Sequence, residues 1–296
     1  MIKMSKKGII SASSVSTPSP FRYPGGKSWL VPYVKQWLAG LPSEGIQFIE
    51  PFAGGANVGL SVAIESLAEH VTLVEMDKDV AAVWEVVLNG RAKSLTNRIM
   101  RFKVTKESVT ALLKKRPRTP IARAFSAIVK NRTRRGGIMA SDASLLKLGE
   151  NGNGLNSRWY PETLKKRIEV IAEHSAKISF QCGDGLECIR NNKDNEQVAF
   201  FIDPPYTIAG RRLYKHSSID QRKLFELLET VQGKILMTYD NTAEIRALVR
   251  EFGFQYRHAT MRTTHHSTKK ELLVSRDFAW LKRTALRRPT AKKKAP

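Results

Sequence analysis

The sequence predicts an α/β protein with a mostly parallel β-sheet and helices on both faces, because short apolar runs alternate with helical patterns along most of the chain. The most apolar run, Val198 to Asp203, is typical of a central strand covered on both sides. The last two strand candidates leave no room for a crossover helix, which predicts an antiparallel hairpin. The candidates are Gln47 to Glu50, Val71 to Glu75, Ile178 to Gln181, Val198 to Asp203, Lys234 to Thr238, Phe254 to Met261 and Glu271 to Arg276.

Helical patterns lie between these strands, and a long insertion interrupts the alternation. The helical patterns of the sheet domain cover Val58 to Ala68, Val80 to Val87, Gln221 to Val231 and Thr242 to Phe252. The insertion combines further helical patterns with a Gly-rich loop from Arg134 to Ser157. The predicted organisation is a disordered arm over residues 1–19, a sheet domain over 20–90 and 171–281, a mainly helical inserted domain over 91–170, and a basic disordered tail over 282–296.

The charge of the chain predicts a polyanionic partner. Its 296 residues contain 50 Lys and Arg against 27 Asp and Glu, a formal net charge of +23. The excess is concentrated between Arg91 and Arg135, where fifteen basic residues face one acid, Glu107. Each phosphate that a basic side chain neutralises releases condensed counterions, so this segment is where we expect a nucleic acid backbone to lie. A generally basic, solvated surface is the alternative interpretation.

Several classes of protein are disfavoured by the composition. The chain has no apolar run long enough for a membrane helix and no secretory leader, so we expect a cytoplasmic protein without a membrane partner. Cys182 and Cys188 match no disulfide or metal-binding spacing, and we expect no metal.

A strand followed by a Gly-rich turn, Phe48 to Gly59, indicates a cofactor site, because backbone amides in such a turn can approach a ligand closely. Glu75 ends the next strand, 21 residues after Gly54, where an acid can reach the ribose hydroxyls of a nucleoside. Ala56 occupies the central position of a Gly-x-Gly-x-x-Gly pattern, which disfavours a pyrophosphate and favours an adenosine cofactor without one. A purely structural turn remains the alternative.

The segment Asp203-Pro204-Pro205-Tyr206 is the strongest candidate for the chemistry. The prolines fix the backbone and remove two donors, so a carboxylate and carbonyl acceptors are presented beside an aromatic ring. That combination suits an amino group on a flat base, whereas an ordinary Asp-Pro turn is the alternative. Asp184 follows another strand and is expected at the same edge of the sheet, although it could equally be a helix N-cap.

Lys27 lies in a Gly-rich turn, Pro24-Gly25-Gly26-Lys27-Ser28. This is not a phosphate-binding P-loop, because Phe21 stands where that motif needs its first glycine and no strand precedes it. A turn that presents Lys27 remains, with a solvated lysine as the alternative.

Together with Phe21-Arg22-Tyr23 before the Lys27 turn and Lys270-Glu271-Leu272-Leu273-Val274 in the last strand candidate, these motifs and their order resemble the Dam-like DNA adenine-N6 methyltransferases of the alpha group, over about residues 20 to 278. Asn131-Arg132-Thr133 through Ser157-Arg158-Trp159-Tyr160 is similar to the recognition region of phage and prophage members. The resemblance implies a Rossmann-like class I methyltransferase sheet with an inserted DNA-recognition domain. It also implies S-adenosylmethionine as the cofactor, double-stranded DNA as the partner, a possible cognate restriction enzyme, and a monomer or weak dimer.

The resemblance also implies roles for individual residues. Asp203 and the Pro204 carbonyl would accept hydrogen bonds from the amino group of a flipped-out adenine, and Tyr206 would stack on the base. The residues implied at the catalytic motif are Asp203, Pro204, Pro205 and Tyr206. The implied cofactor residues are Tyr23, Lys27, Phe52, Gly54, Glu75, Asp184 and Asp203. The chain departs from the family pattern at Ala56, where glycine is usual, and at Tyr23-Pro24, where Trp-Ala is usual.

The target sequence is not readable from the chain, but candidates for DNA contact are. They are Arg132, Arg134, Arg135 and Arg158, because arginine reads guanine and also binds phosphate. The alternatives left open are methylation of cytosine N4 or of RNA, and a DNA-binding protein whose methyltransferase fold has lost activity.

Overall fold

An eight-stranded sheet organises the part of the chain that the structure describes. The structure is a computed structural model, and it describes residues 10–11, 17–22, 26–42, 45–137, 139, 143–149, 152–205, 219–262 and 268–281. The strands are β1 Ile10–Ser11, β2 Gln47–Glu50, β3 His70–Glu75, β4 Ile178–Cys182, β5 Val198–Ile202, β6 Lys234–Asp240, β7 Gln255–Arg262 and β8 Thr268–Ser275.

The strand order is β1-β7-β8-β6-β5-β2-β3-β4. Every neighbouring pair is parallel except β6 with β8 and β7 with β8, which are antiparallel. The predicted α/β class, the mostly parallel sheet and the terminal hairpin are therefore confirmed. Because β8 inserts between β7 and β6, a residue near the end of the chain comes to lie beside the central strands.

Helices cover both faces of the sheet. They are α1 Val31–Ala39, α2 Asn57–Ile64, α3 Lys78–Val86, α4 Ala92–Arg101, α5 Lys106–Lys114, α6 Pro120–Thr133, α7 Pro161–Glu173, α8 Gly185–Asn191, α9 Gln221–Glu229 and α10 Ala243–Glu251. Successive residues of β5 serve opposite faces: Phe201 packs in one hydrophobic cluster, and Phe200 and Ile202 pack in the other. This explains the unbroken apolar run in β5, since both of its faces are buried.

Two helices, α1 and α4, were not predicted. In α4 the buried residues Leu95, Thr96 and Ile99 lie on one face of an otherwise polar and basic helix. The high density of basic residues masks this periodicity in the sequence.

The segment 91–170 is mainly helical, as the sequence predicts. Its helix α6 packs against α3, and its buried residues Phe125 and Ile128 belong to the same hydrophobic cluster as Phe201 of the sheet. The insertion therefore shares a core with the sheet along this contact. The division of the chain into a catalytic and a recognition domain stays a prediction.

The predicted disordered arm, residues 1–19, is wrong at two places. Ile10–Ser11 forms β1 and pairs in parallel with Met261 and Arg262 of β7, whose outer edge offers unsatisfied backbone groups. Further along, Arg167 donates to the Ser19 carbonyl at 3.0 Å and to the Thr17 hydroxyl at 2.8 Å. The predicted basic tail, residues 282–296, lies outside the described residues. Within the described part of the chain, no helix combines the length and apolar character needed to cross a bilayer.

Candidate active site

The carboxyl ends of the parallel strands bring a group of acids to one edge of the sheet. Glu50 ends β2, Glu75 ends β3, and Asp203 follows β5 directly. Asp184 lies just beyond β4, and the Gly183 amide donates to the Glu75 carbonyl at 3.2 Å. The sequence predicted three of these four acids at this edge. Glu50 was not among the predicted site residues.

Asp203 is held from the interior of the protein. The Thr238 hydroxyl, on the neighbouring strand β6, donates to its Oδ1 at 2.8 Å. The Lys27 ammonium lies 3.1 Å from the same oxygen and 3.5 Å from Oε2 of Glu271. The side chain of Asp203 is 24% exposed, whereas those of Lys27 and Glu271 are 6% and 1% exposed. Thr238 and Lys27 thus fix the Asp203 carboxylate from the interior of the protein. Of the three charged side chains, Asp203 is the most exposed.

Lys27 is positioned by the turn that precedes α1. It begins a 3-10 turn, Lys27–Leu30, in which Trp29 and Leu30 are fully buried. These two side chains anchor the turn in the core and direct the lysine towards β5. The alternative of a solvated lysine is therefore wrong.

Glu50 is buried beneath the Gly-rich turn, with 4% of its surface exposed. Its Oε2 accepts the Gly59 amide at 2.8 Å. Burial raises the pKa of Glu50 well above its usual range, and the negative charge of Asp203 adds to this effect. A Cβ at position 59 would lie 2.6 Å from that Glu50 oxygen and 2.5 Å from Leu73. The close approach of helix α2 to β2 therefore requires glycine here.

The Gly-rich turn is fastened to β3 and α3. The Gly54 amide donates to Glu75 Oε2 at 2.8 Å, and the Trp84 indole donates to the Gly54 carbonyl at 3.1 Å. Ala56 adopts φ +50°, the left-handed region that glycine enters most easily. The departure from the family pattern thus falls at a position where a side chain costs about 1 kcal/mol of backbone strain.

Glu75 spans from this turn to the start of α3. Its second oxygen, Oε1, accepts the Asp77 amide at 2.7 Å. Burial raises the pKa of Glu75 to about 7, although the two amide hydrogen bonds oppose that shift. The next residue, Met76, is 41% exposed and is one of the few large apolar side chains on the described surface.

Asp184 caps helix α8 by accepting the Leu186 amide at 2.8 Å, which is the local role that the sequence left open. Phe52 packs against the same helix end, because a Cβ on Gly185 would lie only 2.6 Å from its ring. Phe52, Gly54, Glu75 and Asp184 therefore lie at the carboxyl ends of β2, β3 and β4, and β2 pairs with β5, the strand that Asp203 follows.

Two of the residues implied by the resemblance, Tyr23 and Tyr206, lie outside the described residues. Pro204 is buried and Pro205 is half-buried. Thr238 and Glu271 were not among the predicted site residues. A polar residue at the end of an apolar run, Thr238 after Ile235 to Met237 and Glu271 before Leu272 to Val274, was the available signal.

The arginines proposed for DNA contact fall into two groups. Arg132 is only 4% exposed, and its guanidinium donates to the Pro20 carbonyl, with an Nε distance of 3.1 Å. Burial lowers the pKa of Arg132 to about 9, and the charge of Arg167 adds to the effect. Arg132 therefore holds the amino-terminal segment in place, and its assignment to DNA is corrected. Arg135 is exposed and Arg134 and Arg158 are half-buried, so for these three DNA contact stays a prediction.

The described residues contain no group of three or more His, Cys, Asp or Glu arranged to hold a metal ion.

Comparison with known proteins adds a family match to this geometry. Residues 23–263 match the family model described as D12 class N6 adenine-specific DNA methyltransferase. No curated protein matches the chain. Among solved structures, a proposed RNA methyltransferase of Pyrococcus horikoshii shares 13% identity over 86% of this chain and 85% of its own, with a TM-score of 0.39. A precorrin-6y C5,15-methyltransferase of Geobacter metallireducens shares 9% identity over 92% of this chain and 97% of its own, with a TM-score of 0.39.

Proposed function

The chain belongs to the D12 class N6 adenine-specific DNA methyltransferase family, and from this premise we propose that it methylates N6 of adenines in duplex DNA in a site-specific manner. Methyltransferases of this family use S-adenosylmethionine. The observation that carries the proposal is the fixed carboxylate of Asp203 at the carboxyl end of β5, next to the edge formed by Phe52, Gly54 and Glu75.

Asp203 is the residue to which we assign the substrate amino group. An adenine amino group has two N–H donors, and the nitrogen lone pair is delocalised into the ring. Hydrogen bonds from N6 to the Asp203 carboxylate and the Pro204 carbonyl hold the nitrogen in one orientation and make its lone pair available. Thr238 and Lys27 fix the carboxylate before the substrate arrives, so little reorganisation is needed during the reaction.

The base must leave the duplex to reach Asp203, because the amino nitrogen of a paired and stacked adenine is inaccessible to an in-line methyl donor. We assign Tyr206 to stack on the flipped base. The two prolines before it, Pro204 and Pro205, restrict the backbone of the motif.

The cofactor site that we propose consists of the edge residues beside Asp203. S-adenosylmethionine supplies a methyl group on a sulfonium. We assign the Glu75 carboxylate to accept the ribose hydroxyls, and we assign Gly54 and Phe52, in the Gly-rich turn, to the methionine portion. Met76 and Asp184 lie at the same edge, where the adenine would bind. The residues present fit an adenosine cofactor, since the acid Glu75 ends β3 and the turn carries no pyrophosphate pattern.

Lys27 receives a different role from the one implied by the resemblance. Its ammonium lies between Asp203 and Glu271 and is buried, so we assign it to orient Asp203 and not to bind the cofactor directly. The intact contacts around Asp203 favour an active enzyme over a DNA-binding protein that has lost activity.

The DNA partner is supported by charge. The +23 net charge and the exposed basic residues of the segment 91–135 provide sites for backbone phosphates. Arg134, Arg135 and Arg158 are the remaining candidates at the recognition region.

Incubation of the purified protein with labelled S-adenosylmethionine and mixed-sequence duplex DNA tests the proposal. Hydrolysis of the DNA and base analysis should yield N6-methyladenine. Label in N4-methylcytosine, or in RNA and not in DNA under matched conditions, would replace the proposed substrate. Sequencing of methylated DNA from expressing cells would then identify the target site. A cognate restriction enzyme would have to recognise the same site.

A further inference from the structure

Glu271 forms the innermost layer of the group that holds Asp203. It lies on β8, where it pairs in register with Asp240 of β6, and its side chain is 1% exposed. Its Oε2 lies 3.5 Å from the Lys27 ammonium, which in turn lies 3.1 Å from Asp203. From the surface inwards, the order is therefore the Asp203 carboxylate, the Lys27 ammonium and the Glu271 carboxylate.

We propose that Glu271 is a positioning residue for methyl transfer, which balances the charge of Lys27 so that Asp203 keeps its negative charge available for the substrate amino group. This inference rests on the proposed function, because it assigns a task within that reaction. Glu271 touches neither substrate nor cofactor and acts through Lys27.

The positive charge of Lys27 explains why a second carboxylate is needed beside it. An ammonium 3.1 Å from Asp203 would by itself cancel most of the potential of that carboxylate at the substrate. Glu271, on the other side of the ammonium, offsets part of that positive charge. Thr238 donates to the same Asp203 oxygen but is neutral, so it cannot supply this balance.

The charge of Asp203 matches the change that occurs at the substrate. As the bond from N6 to the methyl carbon forms, the bond from carbon to sulfur breaks and its electron pair leaves with sulfur. The positive charge thus moves from sulfur to N6, and N6 then loses a proton to water. A fixed carboxylate beside N6 stabilises the charge that develops there.

The burial of Glu271 argues against a purely structural role for its carboxylate. Taking a carboxylate out of water is costly, and one carboxylate is enough to pair Lys27. A second carboxylate buried against the same ammonium, directly behind the proposed catalytic residue, points to a role in function.

The test measures kcat and both KM values for three single variants. Glu271→Gln, which keeps the shape and removes the charge, should lower kcat by about tenfold or more while KM for DNA and for the cofactor change less than about threefold. Glu271→Asp retains the charge and should recover most of kcat. Glu251→Gln, which removes a surface acid paired with Arg222, is the matched control and should behave like the wild type.

A second comparison separates charge from packing. In a Lys27→Met background there is no ammonium to balance, so adding Glu271→Gln should change kcat by less than about threefold. Equal kcat for wild type and Glu271→Gln, or equal losses in Glu271→Asp and Glu271→Gln, would overturn the inference. So would an undiminished loss in the Lys27→Met background. Absence of methylation by the wild-type protein would instead reject the proposed function, which keeps the two failures distinct.

Discussion

Lys27 and Asp203 form an ion pair across 176 positions of the sequence, with Nζ 3.1 Å from Oδ1. The lysine precedes the first helix and the aspartate follows the central strand, so the pair joins the amino-terminal turn to the proposed catalytic centre. The proposed roles of both residues depend on this contact.

Replacing Lys27 with methionine should lower the rate of methyl transfer about tenfold, because Asp203 loses the cation that orients it. Cofactor affinity should change less than about threefold, since the ammonium lies against Asp203 and Glu271. Lys35→Met is the matched control, because Lys35 pairs with Glu65 on the surface. Single-turnover rates and calorimetric titration with S-adenosylmethionine distinguish this role from the cofactor role. A large loss of cofactor affinity with an unchanged rate would favour the latter.

Cofactor binding should depend on pH through Glu75, whose pKa burial raises to about 7. The ionised carboxylate accepts ribose hydroxyls and attracts the positive sulfonium, so affinity should rise, by up to about tenfold, between pH 6 and pH 8. Glu75→Gln should bind more weakly, with a flatter profile, which separates Glu75 from other groups that titrate in this range. Calorimetry across the pH series provides the measurement. An identical pH profile in the two proteins would exclude Glu75 as the source.

Gly59→Ala should destabilise the fold by about 1–3 kcal/mol, because the added Cβ would press on Glu50 and Leu73. Gly183→Ala is the matched control: the atom nearest to its Cβ would be Nε2 of the flexible Gln181 side chain, at 3.4 Å. That substitution should change the free energy of unfolding by about 0.5 kcal/mol or less. Urea denaturation of both variants tests the difference, and equal stabilities would show that α2 tolerates the displacement.

Arg132 and Arg135 should respond differently to replacement by glutamine. Arg132→Gln removes a buried donor from the Pro20 carbonyl and should cost about 1–3 kcal/mol of stability. Arg135→Gln should leave stability unchanged, weaken DNA binding, and lower the slope of log affinity against log salt by about 1. Melting curves and binding isotherms at several salt concentrations test both. An unchanged salt slope in Arg135→Gln would remove that residue from the DNA interface.

The sequence predicted the parts of this structure that depend on contiguous patterns. The run Val198 to Asp203 predicts a buried strand because Val198 to Ile202 pack in two hydrophobic clusters, and Glu75 ends its strand at the expected place. The hairpin of β7 and β8 was predictable from the short connection between its strands.

What the sequence could not predict depends on contacts between distant segments. Glu271 reaches Lys27 because β8 inserts between β7 and β6. The local periodicity of a sequence predicts strands but does not predict their order in the sheet. Arg132 was assigned to DNA because it lies in a basic segment. Composition does not tell which side of a helix faces inwards, and its partner, Pro20, lies 112 residues away.

The most direct test of the account is the rate of methyl transfer by Asp203→Ala. With labelled S-adenosylmethionine and duplex DNA, this variant should lose at least about a hundredfold in rate. Cofactor binding measured by calorimetry should persist, because Glu75 and the Gly-rich turn remain. Formation of N6-methyladenine by Asp203→Ala at a rate close to that of the wild type would contradict the assignment of Asp203 as the residue that holds the substrate amino group.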